Sequence, residues 1–391
     1  YVVGGTGSAD GYYFSGCTDV VVSNCIAEDF RRIGFVSEQN GAVKSERPTF
    51  RDCLARNGNN CDDSATEYNA GFWLENTSGG TLSGITVQDM AGNAGQTSGR
   101  VRGVAVHSIG EPDLAANVTL TDFLIDGTGG TLPKAITASG SNSKTSVTIS
   151  RGTIINANSG VTTSGGLSRL SISDVELQDM QYAASSHGGL VVDNANSTAV
   201  VSMDGIVDTN PVYTTPDAGT FNRYASGSFP ASYTFSRCEG FTPVMRGSTA
   251  DTIKVTDCEI IYRSDTYGGF NGNKVNVSNC GITFAAGNNA KLAVSSQSAA
   301  DSSATFTSCR ITGWDGQLGA SRAELNLVSC RLDECSLRWY PERTDGAATQ
   351  GGRLNVSDCY WVNDTLVSSA IISNFYYPDQ DTAIITGNYF R

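Results

Sequence analysis

The segment Cys61-Asp62-Asp63-Ser64-Ala65-Thr66-Glu67 sets three carboxylates within six consecutive positions. Two carboxylates placed across a sugar–sugar bond can serve as general acid and general base. Arg100 and Arg102 follow in the next stretch and supply cations. The two histidines, His107 and His187, show no spacing that builds a Ser-His-Asp set. Asp62, Asp63, Glu67 and Arg102 are therefore the candidate catalytic residues. The sequence has no Cys-x-x-Cys pair and no neighbouring pair of histidines, so zinc is not expected. No cofactor is expected either, and a structural calcium ion is left open.

These residues need a frame, and the frame is a repeat. An apolar-x-apolar pair, a small polar residue, a residue that is often Asp or Asn, a cysteine and a further apolar residue recur along the chain. The copies include VVVSNCIA at Cys25, TFRDCLA at Cys53, YTFSRCEGF at Cys238 and IKVTDCEII at Cys258. VNVSNCGITF at Cys280, ATFTSCRIT at Cys309, LNLVSCRL at Cys330 and LNVSDCYW at Cys359 continue it, and the terminal ITGNYFR reads as one more copy. Between these blocks the cysteine slot is assigned to Gly84, Phe123, Gly152, Val175 and Gly205. The spacing is 20 residues from Cys238 to Cys258 and 22 from Cys258 to Cys280. In VNVSNCGITF, Val275 and Val277 alternate with polar residues as in a strand. Cys280 and Ile282 resume the inward phase after an odd step, which marks a sharp corner. Asn24, Asp52, Asp122, Asp174, Asp257, Asn279 and Asp358 sit at this corner, and Asp and Asn tolerate the left-handed backbone that a tight corner requires.

Strand, corner, strand and loop at this pitch predict an all-β chain: a single-stranded right-handed parallel β-helix solenoid of about 13–14 coils, with neighbouring coils ~4.8 Å apart. The chain resembles the right-handed β-helix superfamily of pectate lyases, polygalacturonases and phage tailspikes. Polygalacturonases carry an adjacent Asp pair like Asp62-Asp63. Their Gly-His-Gly and Arg-x-Lys segments are missing here, and Ser186-His187-Gly188-Gly189 is a distant echo. Pectate lyases use calcium-binding acids with an arginine base, a set that Asp62, Asp63 and Asp89 with Arg100 or Arg102 could imitate.

The repeat reads as one continuous solenoid over residues 1–391, with insertions near 90–117 and 207–232 and with native chain expected beyond both ends. The second insertion is aromatic and proline-rich. Its Tyr213, Phe221, Tyr224 and Phe229 could stack on sugar rings, and Asp217 and Arg223 could bind hydroxyls. Near the C-terminus Trp339, Tyr340, Tyr360, Trp361, Phe375, Tyr376 and Tyr377 form an aromatic stripe suited to packing or to contact between subunits, such as a homotrimer.

The chain has 391 residues and a net charge of −13, from 39 acids and 26 bases. Arginines number 20 against 6 lysines, and aspartates 27 against 12 glutamates. No basic face is concentrated for nucleic acid, and no apolar run is long enough for a membrane-spanning helix. The Asp-rich, Lys-poor balance resembles that of surface proteins of haloarchaea and their viruses, since concentrated salt screens acidic self-repulsion. Eight of the 11 cysteines share the repeated slot. Cysteine is small and often buried, so a ladder of reduced thiols is expected, with Cys17, Cys61 and Cys335 off the ladder. The combined expectation is an extracellular, cell-surface or virion spike or adhesin that binds a surface polysaccharide or glycoprotein. The alternatives are a polysaccharide lyase or glycoside hydrolase, or a structural surface or filament protein.

Overall fold

The computed structural model describes residues 2–3, 10–58, 69–90, 101–108, 117–128, 132–182, 188–192, 199–213, 219–223, 232–245, 250–262, 269–270, 272–284, 303–319, 324–340, 353–362, 372–373 and 382–391. Among them there are strands, turns and bends but no helix, and the strand pairs whose register is defined are parallel. The protein is an all-β parallel solenoid. It divides into two compact units, residues 1–201 with 206–214 and residues 202–205 with 215–391.

In the first unit a coil offers up to three strand segments, which run together into one long strand in Lys134–Ile155 and in Val161–Gln178. One coil contributes Ile33–Glu38, Thr49–Arg51 and Leu54–Arg56. Asn69–Glu75, Thr81–Ser83 and Thr86–Gln88 stack on these three in the next coil. Val101–Ser108 and then residues 134–140 and 161–163 extend the first column. The second unit repeats the plan. Ser232–Ser236, Ala250–Thr256, Gly272–Ser278, Ser303–Thr307, Glu324–Val328, Arg353–Ser357 and Thr382–Thr386 form one ladder. Glu259–Tyr262, Gly281–Phe284, Arg310–Thr312, Arg331–Asp333, Tyr360–Val362 and Tyr389–Phe390 form another. The terminal ITGNYFR is a true coil copy.

The corner between the second and third strands follows the sequence pattern. Asn24, Asp52, Asp122, Asp174, Asp257, Asn279 and Asp358 all have φ between 52° and 54°. The same left-handed place is held by Gly84, Arg151, Gly205, Arg237, Ser308, Ser329 and Gly387. Corner amides bond to the coil above, as from Asp52 N to Ser83 O at 2.9 Å and from Asn279 N to Thr307 O at 3.1 Å. Two slot assignments shift by one residue. Gly84 and Gly205 are corners, and the buried Ile85 and Ile206 fill the cysteine slot. The reason is conformational: a glycine is worth more at positive φ than in a packed apolar column.

The core is a set of stacked columns. Phe50, Leu82, Leu120, Ile149 and Ile172 lie in register and are buried. Phe35 and Phe72 stack with centroids 4.7 Å apart. Each such side chain contributes roughly 1.5–3 kcal/mol when fully buried. Cys53, Cys238, Cys258, Cys280, Cys309, Cys330 and Cys359 are buried in the slot, Cys25 is partly exposed, and all ten described cysteines are free thiols. Cys61 lies outside the described residues.

Two expected insertions contain regular strand. Val101–Ser108 lies inside the 90–117 stretch and pairs on both sides. Residues up to 209, Val212–Tyr213 and Gly219–Arg223 occupy ladder positions inside the 207–232 stretch. Neither stretch is a loop throughout.

Candidate ligand-binding surfaces

Arg102 lies on Val101–Ser108 and is buried at 7% exposure. Its Nη1 is 2.6 Å from His107 Nε2, and His107 Nδ1 is 2.7 Å from Ser139 Oγ. The imidazole stacks on the Trp73 indole at 4.5 Å with 9° between planes, and the Arg102 guanidinium is 5.8 Å from the same indole. Trp73 Nε1 donates to Glu75 Oε2 at 2.9 Å. Register explains the grouping: Glu75, His107 and Ser139 occupy one column on three successive coils.

This cluster has a fixed chemistry. Arginine carries donors and no acceptor, so Nε2 of His107 accepts and the ring proton resides on Nδ1. The Nδ1–H therefore donates to Ser139, and the imidazole has no lone pair directed at that hydroxyl. His107 cannot act as the base for Ser139 in this arrangement. Burial, reinforced by the Arg102 charge, pushes the His107 pKa down to about 3, so the ring is neutral at pH 7. Burial and the Arg102 charge also lower Lys134. Arg102 thus holds a tautomer inside a buried cluster and does not present its guanidinium to a polymer as a lyase-type base. The other members of the expected catalytic set, Asp62, Asp63 and Glu67, lie outside the described residues.

The expected glycan-stacking set also separates. Phe221 is a core residue at 0% exposure, with centroids 5.8 Å from Tyr233 and 5.0 Å from Phe235 in edge-on contact. Its ring has no free face for a sugar, because Tyr233, Phe235 and Phe241 pack around it. Tyr213 and Arg223 lie at the ends of short strands. Asp217, Tyr224 and Phe229 lie outside the described residues. Alternation splits the C-terminal stripe as well. Trp361 is inward and buried, whereas the Tyr360 ring stacks on exposed Tyr389 at 4.9 Å. Trp339 and Tyr340 lie on Ser336–Tyr340, and Phe375, Tyr376 and Tyr377 lie outside the described residues.

A surface that the sequence motifs do not announce is a groove of about 460 Å³ along the corners of the first unit. Gly84, Ile85, Thr86, Phe123 and Gly152 form part of its wall, and Asp122, Arg151, Asp174 and Glu176 supply its charge. Arg151 binds Asp122 through Nε–Oδ1 at 2.8 Å and Nη2–Oδ2 at 2.9 Å, and its Nη2 also donates to Thr121 Oγ1 at 2.6 Å. These hydrogen bonds from Arg151 hold the Asp122 carboxyl below its usual range. Asp122 and Arg151 are exposed. The groove exists because consecutive corners carry side chains of unequal size: Gly84, Asp122, Arg151 and Asp174. Aspartates at corners announced a turn in the sequence. The register that sets Arg151 beside Asp122 became visible only once coil lengths were known. No protein family, curated protein or solved structure matches this chain, so its own residues carry the functional argument.

Proposed function

We propose that this protein is a glycan-binding β-solenoid: an extracellular, cell-surface or virion attachment protein of the general kind represented by β-helical tailspikes. The observation that carries the reading is the corner groove, where three carboxylates and one guanidinium converge in about 460 Å³ on a hydrogen-bonded backbone. Carboxylates accept and guanidinium groups donate, which suits the paired hydroxyls of a sugar ring. Pockets of this size take ligands of a few rings. Rigid corners also lower the ordering cost of binding. The tautomer fixed on His107 favours a binder over a hydrolase built on that cluster.

The test is titration calorimetry with surface polysaccharide, using Arg151→Asn and Asp174→Asn. Asparagine tolerates the left-handed corner, so both variants should keep the fold. A loss of at least tenfold in affinity is expected for each. Unchanged affinity in both removes the groove from the reading. A parallel assay of reducing ends and of absorbance at 235 nm distinguishes the catalytic alternative, since a lyase or hydrolase shortens the polymer and a binder leaves it intact.

A further inference from the structure

The second unit carries a different surface. Gly281, Arg310, Arg331, Tyr360 and Tyr389 are register partners on five consecutive coils. They face outward, because the alternating neighbours Ile282, Ile311, Leu332 and Trp361 are buried at 0–1% exposure. Coils repeat at ~4.8 Å, so the four side chains from Arg310 to Tyr389 form a row roughly 14 Å long.

The row is organised. The Asp333 carboxylate, itself 7% exposed, takes Arg310 Nε at 2.9 Å on Oδ2 and Arg331 Nε at 2.8 Å on Oδ1. One acid thus aligns two guanidinium groups by their Nε edges, while the side chains remain 65% and 51% exposed. Two cations share one carboxylate in this row, and the column continues beyond Gly281 to the acid Glu259. The Arg331 guanidinium lies 5.7 Å from the Tyr360 ring centroid, and the Tyr360 and Tyr389 rings are 5° from parallel. At the other end, a side chain added at Gly281 would meet nothing within 4 Å, so the flank of Arg310 is open.

We infer that this row is a second binding site, separate from the corner groove, and that it takes an anionic glycan. The arginines bind carboxylate or sulfate groups through their outer N–H donors, and the phenolic hydroxyls of Tyr360 and Tyr389, at the tips of the stacked rings, hydrogen-bond an adjoining sugar ring. A uronic-acid carboxylate and a sulfate ester present the same chemistry to the row. A single nucleic-acid strand also combines anions with rings, but it calls for a continuous basic groove that tracks its backbone, and two arginines sharing one carboxylate hold single carboxylate or sulfate groups rather than such a backbone.

The experiment measures binding of four probes to the full chain: oligogalacturonate, a sulfated galactan, neutral dextran and a single-stranded oligonucleotide. At least one anionic glycan is expected to bind, with an affinity that falls at least fivefold in Arg331→Gln and in Tyr389→Ala and declines with added salt. Melting temperatures of the variants identify any that fail to fold. Arg310→Gln serves as a further variant, because it leaves the Arg331–Asp333 pair in place. The groove variant Arg151→Asn should bind the anionic probe as wild type does, which separates this site from the function proposed above. Failure of both anionic glycans to bind, binding unaffected in all three row variants, or preference for the oligonucleotide overturns the inference.

Discussion

The ring of Phe123 occupies the space beside Gly152 on the next coil. The two residues are register partners, and a Cβ placed on Gly152 would lie 2.2 Å from Phe123 Cε1. One slot position thus trades volume with its neighbour, with a large ring on one coil and no side chain on the next. Gly152→Ala forces the ring to move and should destabilise the protein by about 1–3 kcal/mol. Phe123→Ala should lose about 3–5 kcal/mol by opening a cavity. In a double-mutant cycle measured by denaturant unfolding, the alanine at 152 should be better tolerated once the ring is gone. Strict additivity would show that the two positions do not share this space.

The corners offer a stabilising change. Ser308 sits at φ 54° without the local preference of Asn or Gly for that region. Ser308→Gly relieves the conformation at an exposed position and should raise stability by roughly 0.5–1 kcal/mol, read as a higher denaturant midpoint. Ser308→Val should do the reverse by a larger amount, because β-branched residues are poorly tolerated there.

Legibility followed the same physics. Asn24, Asp52, Asp122, Asp174, Asp257, Asn279 and Asp358 could be read as corners because their side chains favour left-handed backbone. Arg151, Arg237, Ser308 and Ser329 hold the same place, but their residue types do not announce it. The repeated apolar pairs disclosed the coil. They did not disclose that Phe221 turns inward, because short strands flanked by glycine and proline resemble loop in one dimension. Arg102 was expected as a catalytic residue, Asp122 and Asp174 as corners and Tyr360 as part of an aromatic stripe, but the groupings were not legible: His107 is near Arg102 in sequence, whereas Ser139 and Trp73 reach the cluster through coil register.

The thiols should react in two classes. Cys17 and Cys25 are partly exposed, whereas Cys53, Cys238, Cys258, Cys280, Cys309, Cys330, Cys335 and Cys359 are buried. Burial also raises the Cys53 pKa and pushes Cys335 up to about 12, which suppresses the reactive thiolate. Brief alkylation of the native protein followed by peptide mass spectrometry should label Cys17 and Cys25 first. The buried set should follow only in denaturant, as free thiols. Recovery of the slot cysteines as disulfides would contradict the reduced ladder.

Salt should stabilise the fold. The 39 acids outnumber the 26 bases, so like-charge repulsion acts across the surface and is relieved by screening. Screening also weakens surface pairs such as Arg47–Asp19 and Arg151–Asp122, but such fully exposed pairs contribute little to stability. Repulsion from the excess of 13 acids should prevail, and the melting temperature should rise from low to molar sodium chloride. A flat or falling curve would mean that the paired charges dominate.

Acid should act through His107 before it acts through the carboxylates. The unfolded histidine takes up a proton near pH 6.5, whereas the folded one, buried against Trp73 with Arg102 and Ser139 on its two nitrogens, resists protonation down to about pH 3. Above pH 6.5 both states are neutral at this residue and stability does not depend on it. As pH falls below 6.5 the unfolded state binds the extra proton, so stability declines at up to about 1.4 kcal/mol per pH unit. The decline continues until the folded ring protonates. Asp122 and Asp204, held low by Arg151 and Arg237, act in the same direction, but only below about pH 4, where unfolded carboxylates titrate. Between pH 6.5 and 4.5 the slope therefore belongs mainly to His107 and should amount to about 2–3 kcal/mol in total. His107→Gln has no proton to gain there. Urea unfolding of the two proteins at matched pH values should give a sloping line for wild type and a nearly flat one for the variant. Parallel lines would show that the folded ring takes up its proton as readily as the unfolded one.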